Sequence, residues 1–230
     1  MKLSAPIYRL KRRARLAARA HDIPLHAALD RVAEDEGFGS WSDLARRHAA
    51  SGPAGRLLAR FEPGDLVLLG ARPGHGKTVL GLELALKAAG NGRQGFFFTL
   101  EYTVQDVSAL LDGLEDRLIL DTSDDICAAH VIERMGASPR GSVAVIDYLQ
   151  ILDQKRQNPE LGTQIADLRA FAQASGSVIV LISQIDRAHD TQSGALPGLG
   201  DVRLPNPVDL SLFTRTCFLQ DGEIALDPAA

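Results

Sequence analysis

Aromatic side chains make up only 5% of the 230-residue chain, with a single tryptophan and just two cysteines, Cys127 and Cys217. The cysteines stand far apart, and neither has a His or second Cys at metal-ligand spacing. They read as reduced core residues of a cytoplasmic protein, not as a disulfide or a zinc site. The six histidines show no ligand spacing either. No apolar run reaches the roughly 18 residues of a membrane helix. The basic N-terminus is not followed by the apolar segment of a secretory signal. A membrane partner is therefore not expected. Internal repeats and low-complexity tracts are also lacking.

What is present is a marked charge asymmetry. Residues 1–60 carry a balance of +6 and residues 61–230 a balance of −10, within a net charge of −4. A small basic unit thus precedes a larger acidic one. In the first, "IYRLKRRARLAARA" (7–20) has an apolar stripe at Ile7, Leu10, Ala14 and Ala17, with Arg9, Arg12, Arg13 and Arg19 largely elsewhere on the wheel. A second helix carries Leu25, Ala28, Leu29 and Val32 and stops at Gly37, and a third starts after Ser40, with Asp43 at capping-box spacing. Phe38 and Trp41 read as this unit's core. Residues 1–50 are expected to form a basic helical module, 51–56 ("SGPAG" and Arg56) a linker, and 57–230 the main domain.

Beyond the linker, apolar runs of strand length at 65–70, 96–100, 118–120, 143–146 and 178–182 alternate with helical stretches at about 77–89, 103–113, 125–135 and 160–174. This alternation predicts an α/β fold with a mostly parallel sheet flanked by helices. "CFLQDGEIAL" predicts a terminal hairpin turning at Asp221-Gly222. Residues 186–209, rich in Gly, Pro and polar residues, form a long loop of the kind that is usually functional or disordered.

The chemistry concentrates in "LVLLGARPGHGKTVL". Ala71, Arg72, Pro73, Gly74, His75, Gly76, Lys77, Thr78 and Val79 form a candidate phosphate loop whose first glycine is replaced by Ala71. Little is required of that position, because phosphate is held by backbone N–H groups, a helix N-terminus, the Lys77 ammonium and a hydroxyl, Thr78, suited to Mg²⁺. His75 reads as a variable position. Three strand ends add to the set. Asp147, closing "VAVID", is a second candidate Mg²⁺ group. Glu101, after "FFFTL", is a candidate base for an attacking water, since Tyr148 leaves no carboxylate beside Asp147. Gln184, after "VIVLIS", is placed to sense a γ-phosphate. Lys77, Glu101 and Gln184 are thus the catalytic candidates, and Thr78 and Asp147 the metal candidates.

"ARPGHGKT", "FFFTLE", "VIDYLQIL" and "SQIDRA" follow one another in the order and rough spacing of the DnaB-like replicative helicase ATPase domain of the RecA superfamily, which this chain resembles over about residues 57–215. The resemblance implies a RecA-like core, an ATPase using ATP and Mg²⁺ at Lys77, Thr78 and Asp147, Glu101 as catalytic base and a Gln184 switch. Arg72 and Gln150 also match family positions near the site. Single-stranded DNA or another nucleic acid is the implied partner, through 186–209 and the basic N-terminal helix, and a ring or filament of copies the implied assembly. Departures are visible too. A small basic module stands where the family has a collar domain. Asp201 and Arg203 of "GDVRLP" match, but the residues after them do not. Arg215 alone stands where the family has a Lys and an Arg reaching to the next subunit's γ-phosphate. The N-terminal module resembles a short glyoxalase-related bacterial module. Its Arg cluster fits phosphate contact or a solvated face docked on acidic surface. The alternative to a helicase-like enzyme is a nucleotide-sensing adaptor that binds ATP and docks a protein partner through this module.

Overall fold

The computed structural model describes residues 4, 7–111, 114, 117–185, 197–202, 208–220 and 223–228. It divides into two compact units, Met1–Arg56 and Leu57–Ala230.

The first unit holds α1 (Ile7–His21), α2 (Leu25–Asp35) and α3 (Trp41–Ser51). Leu10 and Ala14 of α1 are buried against Ala28 and Val32 of α2, with Trp41 packed on the cluster. Gly37 adopts the left-handed conformation that ends α2 (φ +85°). The Ser40 hydroxyl caps α3 by accepting the Asp43 N–H at 3.2 Å. Phe38 lies at the rim, with the Arg47 guanidinium 6.0 Å from its ring centre. The stretch expected as a linker is largely helical, and the two units divide at its end. α4 (Pro53–Leu58) begins on a proline, which suits a first helical turn, and it buries Ala54, Leu57 and Leu58. Burial of apolar side chains outweighs the Gly/Pro composition there.

The second unit is a seven-stranded sheet in the order β3-β2-β4-β5-β1-β6-β7. Its strands are β1 (Leu66–Ala71), β2 (Gly95–Thr99), β3 (Ile119–Asp121), β4 (Val143–Asp147), β5 (Val178–Gln184), β6 (Arg215–Gln220) and β7 (Glu223–Pro228). All neighbouring strands are parallel except β7, which runs antiparallel to β6. Gln220 pairs with Glu223, so the predicted hairpin forms, while Asp221 and Gly222 lie outside the described residues. The hairpin joins the main sheet beside β1.

Helices α5 (Lys77–Gly90), α6 (Val104–Leu111), α7 (Ala128–Met135) and α8 (Leu161–Ser175) connect the strands. Strand side chains alternate between faces, as the pleat requires. Leu66, Leu68, Phe96, Phe98, Ala144, Ile146, Ile179 and Leu181 join residues of α7 and α8 in one core. On the other face α5 lies close to the sheet because glycine permits it. A Cβ on Gly81 would stand 2.9 Å from Ile182 and Val145, and one on Gly95 only 2.0 Å from the Ala85 carbonyl oxygen. Gly95→Ala is therefore expected to destabilise the chain by about 3 kcal/mol or more, the upper end of overpacking costs. Gly162→Ala in α8, where a Cβ meets nothing within 4 Å, should be neutral or stabilising by at most about 1 kcal/mol. Urea unfolding midpoints of the two variants check the contrast.

Candidate nucleotide site

β1 ends at Ala71, and α5 begins at Lys77. Between them Gly74 (φ +81°) and Gly76 (φ +79°) are left-handed, which only glycine adopts at little cost. A Cβ at either would meet nothing within 4 Å. Backbone conformation, together with an open side facing outward, therefore fixes these two positions. Ala71 is different. It is a fully buried strand residue with no positive φ, paired in register with Gln184, and its carbonyl accepts the Ile185 N–H at 3.1 Å. The first position of the loop is still sheet, so alanine fits where the sequence pattern has glycine.

The first turn of α5 carries Lys77 and Thr78, both buried. The Thr78 hydroxyl donates to Oδ2 of Asp147 at 2.7 Å. Asp147 closes β4 and is wholly buried, and its Oδ1 has no hydrogen-bond partner. Burial pushes its carboxyl above the usual carboxylate range. The Thr78 hydroxyl and the Lys77 charge oppose that rise, and the Glu101 charge adds to it.

Register gathers the other candidates at the same end of the sheet. Thr99 stands opposite Asp147, Asp147 opposite Ile182, and Gln184 opposite Ala71. Adjacent strands β2, β4, β5 and β1 thus present Thr99, Asp147, Gln184 and the loop along one carboxyl edge, where open α/β sheets bind ligands. Glu101 lies two residues past the end of β2, which stops at Thr99, one residue short of the expected strand. Glu101 is exposed, with its N–H donated to the Thr99 hydroxyl at 3.1 Å. Gln184 is half-buried, as are Arg72 and His75, while Pro73, Gly74, Gly76 and Val79 are exposed. Gln150 lies in a short 3₁₀ helix, Leu149–Asp153, directly after Tyr148.

Two buried polar groups went unread in the sequence. Thr99 anchors the Glu101 backbone, and its only signal is a hydroxyl residue ending an otherwise aromatic strand. Ser183, fully buried beside Gln184 with its hydroxyl lacking a hydrogen bond, gives no sequence signal. Arg215 is corrected by the structure. It pairs with Val67 near the start of β1, toward the opposite end of the sheet from the phosphate loop. Its Nε donates to Asp65 Oδ2 at 2.6 Å and its Nη2 lies 3.1 Å from Glu62, while Thr214 donates to the other Asp65 oxygen at 2.8 Å. Arg215 is held in the fold and does not stand in for a residue reaching a neighbour's phosphate. Of the loop 186–209, residues 186–196 and 203–207, including Arg203, lie outside the described residues. Val202 bridges back to Ile185, and Asp201 accepts the Gly198 N–H at 2.8 Å. Among the described residues no helix is long and apolar enough to cross a membrane.

A carboxyl whose folded-state pKa is raised costs stability once it ionises. The cost is absent below the ordinary carboxylate pKa and grows as pH rises through the raised folded value. Asp147→Asn should therefore raise the unfolding midpoint of the nucleotide-free protein at neutral pH, with the advantage fading on acidification. Thermal melts across that pH range read it directly.

No family model matches the chain. The replicative DNA helicase DnaB of Helicobacter pylori (strain 26695) is 25% identical over 231 aligned positions, covering 82% of this chain and 47% of that protein. A probable plasmid replicative DNA helicase of Chlamydia trachomatis is 27% identical over 187, covering 65% and 41%. The DNA repair protein RadA of Campylobacter jejuni is 28% identical over 140, covering 59% and 30%. The chain spans about half the length or less of these relatives. Among solved structures, an ATPase domain superposes with a TM-score of 0.53 at 19% identity, covering 76% of this chain and 80% of that one. A DnaB-like replicative helicase, solved in a study of its interactions with primase, gives 0.56 at 15%, covering 92% and 64%. The glyoxalase-related resemblance of the N-terminal module finds no support in these comparisons. The chain is similar in sequence to DnaB-type helicases over less than half of their length, and it has a RecA-like α/β fold of the kind found in the ATPase domain it superposes on.

Proposed function

We propose that the protein binds ATP with Mg²⁺ at Ala71–Val79, hydrolyses it, and acts on or with nucleic acid. The observation that carries this reading is the buried Thr78–Asp147 hydrogen bond with its unpartnered carboxylate oxygen, set beside a doubly left-handed glycine loop. A hydroxyl and a buried carboxylate with acceptor capacity to spare are oxygen ligands suited to a hard cation. Thr78 and Asp147 would hold Mg²⁺, directly or through water, and the ion would neutralise charge on the β- and γ-phosphates.

The chain's own groups supply the rest. Loop N–H groups and the N-terminus of α5 bind phosphate oxygens. The Lys77 ammonium, with little water around it, stabilises charge on the transferring group. A water attacks the γ-phosphorus in line as the bond to the β,γ-bridging oxygen breaks, giving ADP and inorganic phosphate. Its proton passes to Glu101, whose exposed carboxylate is free to accept one. Gln184 is the contact that reports γ-phosphate to the segment behind β5. Nucleic acid as partner is supported by the helicase relatives, and assembly into rings or filaments follows the same likeness.

One observation favours the alternative of a slow, nucleotide-sensing adaptor. With Arg215 locked to Asp65, the terminal hairpin offers no described arginine to a neighbouring site, and such a residue is worth about 10³–10⁵ in rate where measured. Turnover assays with single-stranded DNA separate the two readings. An ATPase turns over repeatedly, whereas an adaptor binds ATP without multiple turnovers.

Lys77→Ala is expected to abolish ATP binding. Glu101→Gln should keep ATP binding while turnover falls about 10²–10⁴-fold, the usual worth of a general base. Full turnover in either variant places the chemistry elsewhere.

A further inference from the structure

The structure assigns a phosphate-contacting surface to the outer face of α1. This rests on nucleic acid being the partner, and it adds where that partner is held. Helix α1 contains Arg9, Lys11, Arg12, Arg13, Arg15 and Arg19 and no acidic residue. Its buried side is narrow, chiefly Leu10 and Ala14. Positions 12, 15, 16 and 19 fall on the opposite side by helical spacing, and Arg12, Arg15, Leu16 and Arg19 are all exposed there, Leu16 at 58%.

This face is not explained by the stability of the unit. Cations in the first half of a helix oppose its dipole, and like charges three or four residues apart, such as Arg12 with Arg15 or Arg15 with Arg19, repel. Four of the six acidic residues of the unit are used elsewhere. Asp35 and Glu36 flank Arg13, Asp43 holds Arg46 and Arg47, and Asp30 accepts the Trp41 N–H. Among the described residues neither Arg12 nor Arg19 has a hydrogen bond or ion pair. Two uncommitted guanidiniums one helical turn either side of an exposed leucine match a single strand of nucleic acid. Its phosphates pair with the arginines, and the apolar face of a base covers Leu16.

The test uses the full chain and a fluorescein-labelled oligo(dT) strand, with anisotropy followed against salt. Arg12→Glu/Arg19→Glu is compared with Arg46→Glu/Arg47→Glu, which changes net charge equally on another helix. The first should weaken binding at low salt at least tenfold, and the second less than threefold. The milder Arg12→Ala/Arg19→Ala should lower the slope of log affinity against log salt by about 1.4, at about 0.7 per single-strand phosphate contact. Circular dichroism melts confirm that the variants fold. Equal weakening by both charge reversals, or none by either, overturns the surface while leaving nucleic acid as partner. So does an altered oligomeric mass with unchanged oligonucleotide binding, which would make the face a contact between copies. No binding by the wild-type chain at low salt overturns both this surface and the nucleic-acid partner, whereas the ATPase reading stands or falls on turnover alone.

Discussion

The hydrogen bond from Thr78 to Asp147 is the constraint on which the site depends. It ties the first turn of α5 to the end of β4 through two residues 69 apart in the chain. Everything around it sets its geometry. Gly74 and Gly76 turn the chain so that α5 begins where Thr78 can reach across. Gly81 and Gly95 let α5 lie close enough to the sheet to keep it there. The bond satisfies only one oxygen of a buried carboxylate, which leaves the other for the cation proposed above.

The two ends of the sheet are handled in opposite ways. At the amino end Asp65 is also buried, yet both its oxygens are engaged, by Thr214 and Arg215 and by the backbone N–H of Glu62. That cluster closes the terminal hairpin against β1 and leaves nothing over. At the carboxyl end Asp147 Oδ1 and the Ser183 hydroxyl remain without partners. Buried polar groups are seldom left so without a functional reason. The contrast within one sheet separates the end that holds the fold together from the end where the nucleotide site is proposed.

Much of this was legible in the sequence because the signals are local. Alternating apolar runs placed five strands, the two loop glycines are demanded by backbone sign, and Asp147 and Gln184 end apolar runs. Asp147 and Thr78 could be named but not paired until strand order put β4 and β1 one strand apart. The place of Arg215 could not be read, because its partner Asp65 is 150 residues away and the parallel pairing of β6 with β1 is a tertiary fact. The helix at the "SGPAG" stretch went unread for the converse reason, although the two units do divide there, between Arg56 and Leu57. Composition suggested a linker, but Pro53 suits a first turn and the leucines after it find apolar cover. Glu101 was expected at the strand's end, and it stands two residues past it, because the aromatic run stops at Thr99, whose hydroxyl accepts the Glu101 N–H.

The central claim is that the carboxyl edge of this sheet is a Mg²⁺-dependent ATP site. Calorimetric titration of ATP into the purified chain, with Mg²⁺ and then with a chelator, tests it most directly. The account predicts saturable binding with Mg²⁺ that weakens markedly when the cation is removed. Absence of binding under both conditions, or binding indifferent to the cation, would contradict it.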